Sequence, residues 1–170
     1  STLEASDAVD ERALCKELWR LVRGGRIDAA QRACRAAGQP WRAAALSGGT
    51  LSDDARRRGA VAADVWPLAG NRVRLAWKMS CWAIASQSDG DTHERATFAA
   101  LCGSLRGLLP AARGWEDYLW AHLKAALEWR ADDALASMPD SDDDGGVDMR
   151  VDEYARRRAA HEPAPSRSVA

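Results

Sequence analysis

A chain of 170 residues with 46% hydrophobic content holds enough apolar material for one packed domain. Its 24 Lys and Arg against 25 Asp and Glu leave a formal charge of −1, so the overall balance draws it neither to nucleic acid nor to an anionic membrane. No charge-free run exceeds ten residues, against the roughly 20 a spanning helix needs, and no basic-then-apolar leader opens the chain, which argues against membrane insertion.

Ser1 in place of Met suggests a piece of something longer. Residues 1–7 read as frayed, with Asp7 or Asp10 capping a first helix whose apolar positions Leu14, Cys15, Leu18, Trp19, Leu21 and Val22 follow helical spacing up to Gly24-Gly25. A second helix, Ile27 to Ala37, presents the small face Ile27, Ala30, Cys34 and Ala37 and pairs antiparallel with the first. Gly38 then suits a left-handed cap, and Pro40 has the preset φ of a first helical position. The string Gly38-Gln39-Pro40-Trp41-Arg42 therefore predicts a corner of one or two residues, with Trp41 packed as a buried wedge against the preceding helix. The third helix runs from Pro40 to about Leu46 and stops at Ser47-Gly48-Gly49.

From Gly48 to Gly70 the pattern dissolves into Asp53-Asp54, Arg56-Arg57-Arg58, glycines and Pro67. We read this as an insertion with room for one short helix around Val61, Val65 and Trp66, and the arginine triplet beside two aspartates as solvated. A fourth helix, Asn71 to about Gln87, carries Val73, Trp77, Cys81 and Ile84 on one face and Leu75, Met79, Trp82 and Ser86 on another, so it is expected to be covered on two sides. Asp91 with Glu94 makes a capping-box-like start to a helix from Thr92 to Leu101, closed by Gly103, and a short helix follows from Ser104 to Leu109 before Pro110. The last strong element runs from Trp115 to about Ala136, with inner positions Trp115, Leu119, Trp120, Leu123, Ala126 and Leu127 and with Glu116 and Asp117 in its first turn. Residues 137–170 are expected to be an acidic loop, a short helix around Val151 to Ala160, and a disordered Pro- and Ser-rich tail from His161.

No segment sustains period-two alternation, so the fold class is all-α. Helix pairs joined by short corners, one with two covered faces, suggest an irregular α-solenoid of stacked antiparallel pairs over residues 1–136. A 34-residue tetratricopeptide period would make the repeat regular, but the Leu18 to Ala37 pattern has no second copy.

Residues that could carry chemistry fail on spacing. The cysteines Cys15, Cys34, Cys81 and Cys102 lie 19, 47 and 21 residues apart, without the close pairs of a zinc site, and read as buried thiols in a reducing compartment. His93-Glu94 does not extend to His-Glu-x-x-His because position 97 is Thr97. Asp140, Asp142, Asp144 and Gly145 reproduce the first half of a calcium loop, but its twelfth position is Val151 in place of Glu. The histidines His93, His122 and His161 lack a Ser or Cys partner, and Gly-x-Ser-x-Gly and phosphate-binding glycine loops are absent. The expectation is no enzyme, no cofactor and no small-molecule substrate. The remaining anomaly is eight Trp, most of them expected in the core, where any left exposed would anchor a partner.

The string Gly38-Gln39-x-Trp41-Arg42-Ala43-Ala44-x-Leu46-x-Gly48 resembles the nucleoporin 107/84 family, the α-helical scaffold proteins of the Y-shaped nuclear pore subcomplex. Later blocks agree in order: Gly70-Asn71 with Arg74 and Trp77-Lys78-x-Ser80-Cys81-Trp82; Glu94-Arg95-Ala96 with Ala99-Ala100-Leu101-x-Gly103 and Leu108-Leu109-Pro110; and Trp115-Glu116-Asp117-x-x-Trp120-Ala121. Together they cover roughly residues 12–130. Arg72 stands where such proteins often have proline, the 48–70 insertion does not align, and the likeness fades beyond about residue 131. The resemblance implies a middle segment of a longer scaffold protein at the nuclear pore and nuclear envelope, serving protein and mRNA transport structurally, with other Y-complex nucleoporins as partners. Gly38, Gln39, Trp41, Arg42, Trp77, Cys81, Trp82, Trp115 and Trp120 are read as corner and core positions rather than ligand sites. The competing reading is a soluble tetratricopeptide-like adaptor with a peptide groove lined by convergent Lys, Asn or Arg.

Overall fold

The computed structural model describes residues 5–49 and 74–136, and these are helical throughout apart from short connections. The helices are α1 (Ala5–Arg23), α2 (Ile27–Ala36), α3 (Pro40–Ser47), α4 (Arg74–Ala85), α5 (Thr92–Cys102), α6 (Leu105–Leu108) and α7 (Trp115–Ala136), with a 3₁₀ turn at Leu109–Ala111 after α6. The expected insertion, the half calcium loop at Asp140 to Gly145, the Val151 to Ala160 helix and His161 lie outside the described residues.

The helix at the centre is α5. Every residue from Ala96 to Cys102 is buried, including Phe98, the only phenylalanine. A helix buried all round must be covered all round. Here α1 and α4 flank α5, α6 with its 3₁₀ turn folds back on it, and α7 closes a further side. Three alanines and a cysteine make this possible, because small side chains bring neighbouring backbones close. At the start of α5, Asp91 caps as expected, its Oδ1 accepting from the backbone N–H of His93 at 2.8 Å and Glu94 at 3.1 Å. Glu94 completes no capping box, however, and reaches across to α3 instead.

On the other flank of α1, α2 packs antiparallel through the buried Ala30 and Cys34, and α3 packs on α2. Leu18, Leu21 and Val22 of α1 join Leu46 of α3 and Cys81, Trp82 and Ala85 of α4 in one continuous core. The expected face of the first helix is therefore observed. Its start is not: α1 begins at Ala5, upstream of Asp7 and Asp10, so neither caps it. Pro110 likewise does not stop the chain but sits within the 3₁₀ turn that continues α6.

In α7 only Trp120 of the expected inner positions packs toward the core. Trp115, Leu119, Leu123, Ala126 and Leu127 face solvent, while Ala121, Ala125 and Asp132 are buried. The helix approaches α5 on its alanines, a close packing that its large side chains would prevent, and meets α4 through an ionic cluster.

Candidate functional site

The corner between α2 and α3 is tight. Gly38 takes φ +72°, the left-handed conformation that favours glycine, and the Gln39 N–H donates to the Cys34 carbonyl at 2.8 Å. Trp41, however, is not the wedge: it is 61% exposed. One residue further, and so about 100° round the helix, Arg42 points inward and is 3% exposed. Its Nη2 lies 2.7 Å from Glu11 of α1 and 2.6 Å from Glu94 of α5, and its Nη1 donates to Gln39 Oε1. Gln39 Nε2 in turn donates to Glu11 at 2.6 Å. The Trp41 ring covers the guanidinium from outside, 4.7 Å from ring centroid to Cζ. A planar five-donor fork can join three helices at fixed angles, which an apolar ring cannot. The corner is thus held by Arg42 and Gln39, with Trp41 as a lid.

A second network ties α4 to α7. Lys78, 0% exposed, donates to Asp132 at 2.7 and 2.9 Å and pairs with Glu128 at 2.7 Å. Arg74, one turn before it, pairs with Asp132 and, at 2.8 Å, with Glu128. Lys124 of α7 completes the set, 2.6 Å from Glu128. Burial works against the charged form of Glu128, yet Lys78 and Lys124 outweigh it and hold its carboxyl below the ordinary range. Both helices place the charges at i and i+4, Arg74-x-x-x-Lys78 facing Glu128-x-x-x-Asp132. That matched spacing was the signal in the sequence.

Trp77 is half-buried on α4, its Nε1 donating to the Ala45 carbonyl of α3 at 2.8 Å. It lies directly over Gly48, where a Cβ would come within 2.2 Å of the indole nitrogen. Cys81 and Trp82 are buried in the core. Trp120 is half-buried and meets Trp19 of α1 edge to face at 5.5 Å. Trp115, expected inside, is 71% exposed.

These clusters offer little to catalysis. The ligand atoms of Glu11, Cys15 and Glu94 converge within 4.8 Å, the type of group that holds a metal. The cation bound to both carboxylates is already the Arg42 guanidinium, and burial pushes the Cys15 thiol up to about 12, so it is protonated at neutral pH. Burial likewise raises Cys81 to about 12, and raises Cys34 and Cys102, so none of the four is a poised nucleophile. His93 sits in the first turn of α5 and His122 on the exposed side of α7.

Among the described residues two surfaces stand open. A groove of about 650 Å³ between α1 and the start of α7 is lined by Lys16, Arg20, Arg23, Arg113, Trp19 and Trp120, among others. Arg20 is paired with Glu17 and Arg23 with Asp117, so half of its arginine and lysine charge is already engaged within the groove wall. The other surface is the apolar face of α7. No helix among the described residues is long and apolar enough to cross a membrane.

The description "Nuclear pore protein 84 / 107" belongs to a family whose profile matches residues 1–169. The rat protein named nuclear pore complex protein Nup107 is 40% identical over 126 residues, 74% of this chain but 13% of the rat protein. The Drosophila melanogaster protein of the same name is 36% identical over 138 residues, 78% of this chain and 16% of its own length. Nucleoporin nup107 of Schizosaccharomyces pombe is 29% identical over 140 residues, 79% of this chain and 16% of its own. The chain therefore spans about an eighth to a sixth of the relatives it matches. With the family profile running over nearly the whole sequence, and with the Gln39–Arg42 corner and the Trp77 helix standing at its predicted blocks, the chain belongs to the nuclear pore protein 84/107 family.

Proposed function

We propose that residues 1–136 form a segment of irregular α-solenoid in a structural scaffold protein of the nuclear pore coat, located at the nuclear envelope and assembled with other Y-complex nucleoporins. The observation that carries this reading is the family profile over residues 1–169. The architecture is consistent with it: helices held at fixed angles by buried ion networks, with thiols that burial keeps protonated, serve shape rather than turnover. Transport of protein and mRNA through the pore would depend on this segment only through the coat it helps to hold.

The adaptor reading needs a groove with several free cations converging on a peptide. The groove beside Trp19 and Trp120 has two of its arginines engaged by Glu17 and Asp117, whereas the α7 face presents a broad apolar surface of the sort that stacking uses. The test is to express a parent protein carrying this segment, tagged with a fluorophore, and to co-purify its associates. Nuclear-rim signal and recovery of other scaffold nucleoporins are expected, and both should weaken with Arg42→Ala. A diffuse signal with none of those partners would overturn the proposal.

A further inference from the structure

The outward face of α7 carries Trp115, Leu119, Leu123 and Leu127 at four-residue spacing, each at least half exposed. They form a stripe about 18 Å long at 1.5 Å per residue. The opposite side of α7 is already packed, through Ala121, Ala125, Glu128 and Asp132. A helix apolar on the side its fold leaves open calls for a cover.

We propose that residues 147–160 of this same chain supply it, as a helix returning antiparallel along α7. Three features of the sequence argue for this occupant. First, the segment has a matching stripe: Val147, Val151, Tyr154, Ala155 and Ala159 recur at helical spacing, over a length of about 18 Å. Second, its other side supports a helix on its own account, with Asp152 four residues before Arg156 and Glu153 four before Arg157, acid preceding base as the helix dipole prefers. Third, the connection has the right reach. Residues 137–146 contain Pro139 and Gly145-Gly146, and their ten residues easily span the roughly 8–10 Å between packed helix axes. The family profile extends through this segment to residue 169. The 50–73 stretch is a poorer candidate, because Ala60 to Trp66, interrupted by Asp64 and bounded by Gly59 and Pro67, would make a helix of only about 10 Å, about half the stripe. The pairing stands on these residues whether or not the protein sits in a pore coat.

Hydrogen exchange by mass spectrometry on the 170-residue chain tests this, with size-exclusion light scattering alongside. The amides of 147–160 are expected to exchange at least about tenfold more slowly than an open segment, and to lose that protection in both Leu123→Asp and Val151→Asp. Leu123 is exposed in the described fold, so α1 to α5 should keep their protection in that variant. Unprotected 147–160 amides in a monomeric chain would overturn the proposal, as would protection untouched by Leu123→Asp. So would a dimer with unprotected 147–160 amides, which would assign the stripe to a second copy, or protection found at residues 60–66 and lost with Leu123→Asp in their place.

Discussion

The sharpest test of how the α2–α3 corner is held compares two adjacent residues, Trp41 and Arg42. Removing one partner of a buried ion pair costs about 3–5 kcal/mol, because the other charge is stranded. The Glu11 and Glu94 side chains keep 28% and 25% exposure, so both carboxylates rehydrate in part once Arg42 is gone. The lower end, about 3 kcal/mol, is therefore expected for Arg42→Ala, or a fall in Tm of about 6–12 °C at this chain length. Trp41→Ala removes an exposed ring whose main contact is the guanidinium below it, a loss of about 0.5–1 kcal/mol and no more than about 4 °C. Adding Glu11→Gln and Glu94→Gln to Arg42→Ala removes the stranded charges and should raise Tm back part of the way. Thermal melts followed by circular dichroism at 222 nm measure all three. A larger loss from Trp41→Ala than from Arg42→Ala, or a triple variant melting below the single, would refute the assignment of the corner to Arg42.

At the second network, Lys78→Ala should cost about 3–5 kcal/mol, and Lys78→Met less, since Met refills the volume and Arg74 still neutralises Asp132; equal denaturation midpoints for the two would show that the charge contributes nothing. Gly48→Ala would drive a methyl into the Trp77 indole and should cost about 1–3 kcal/mol, read as a lowered Tm, with the indole forced off its bond to the Ala45 carbonyl. Burial acts against the charged forms of Glu11 and Glu128, but Arg42 with Gln39 at the first and Lys78 with Lys124 at the second win, and both carboxyls lie below their ordinary range. Unfolded carboxyls take up protons first, near pH 4.3, so this stability is complete above that pH and is lost as pH falls through the lower folded values; urea midpoints should hold from pH 7 to 5 and drop below about 4. The thiols Cys15, Cys34, Cys81 and Cys102 should react with a disulfide reagent only as fast as the protein opens, and a rapid native reaction at any of them would contradict their burial.

The sequence exposed the helices more readily than their inward faces. Spacing found the inner side of α1 because Leu14, Leu18 and Val22 are large and apolar and the helix has one core to face. On α7 the same rule selected the wrong side, because the rule scores side-chain hydrophobicity while the packing was decided by size and charge. Ala121 and Ala125 admit α5 closely, and Glu128 and Asp132 answer Lys78 and Arg74. Trp41 misled for the same reason: a tryptophan beside a corner looks like its wedge until the arginine next to it is seen with two carboxylates from helices 31 and 52 residues away. Nothing local marks such a pairing. The i, i+4 ladders of α4 and α7 did mark the other one, although only once the two helices were known to meet.

Why a stack of helices should carry costly buried charges at all follows from what its core is made of. The inner surfaces of α5 and α7 are rich in alanine, and smooth rows of methyl groups pack almost equally well after a slide of one turn. Apolar burial alone would leave the register of α4 against α7, and of α3 against α1 and α5, weakly determined. A slide of about 5.4 Å would pull Arg42 away from Glu11 or Glu94, and at the α4–α7 ladder would leave one acid or base of the four without its opposite charge. The ion networks therefore contribute less as net stability than as a penalty on all the wrong registers. For a segment whose role is to hold neighbouring helices at set angles, that penalty is what converts a helical sequence into a shape.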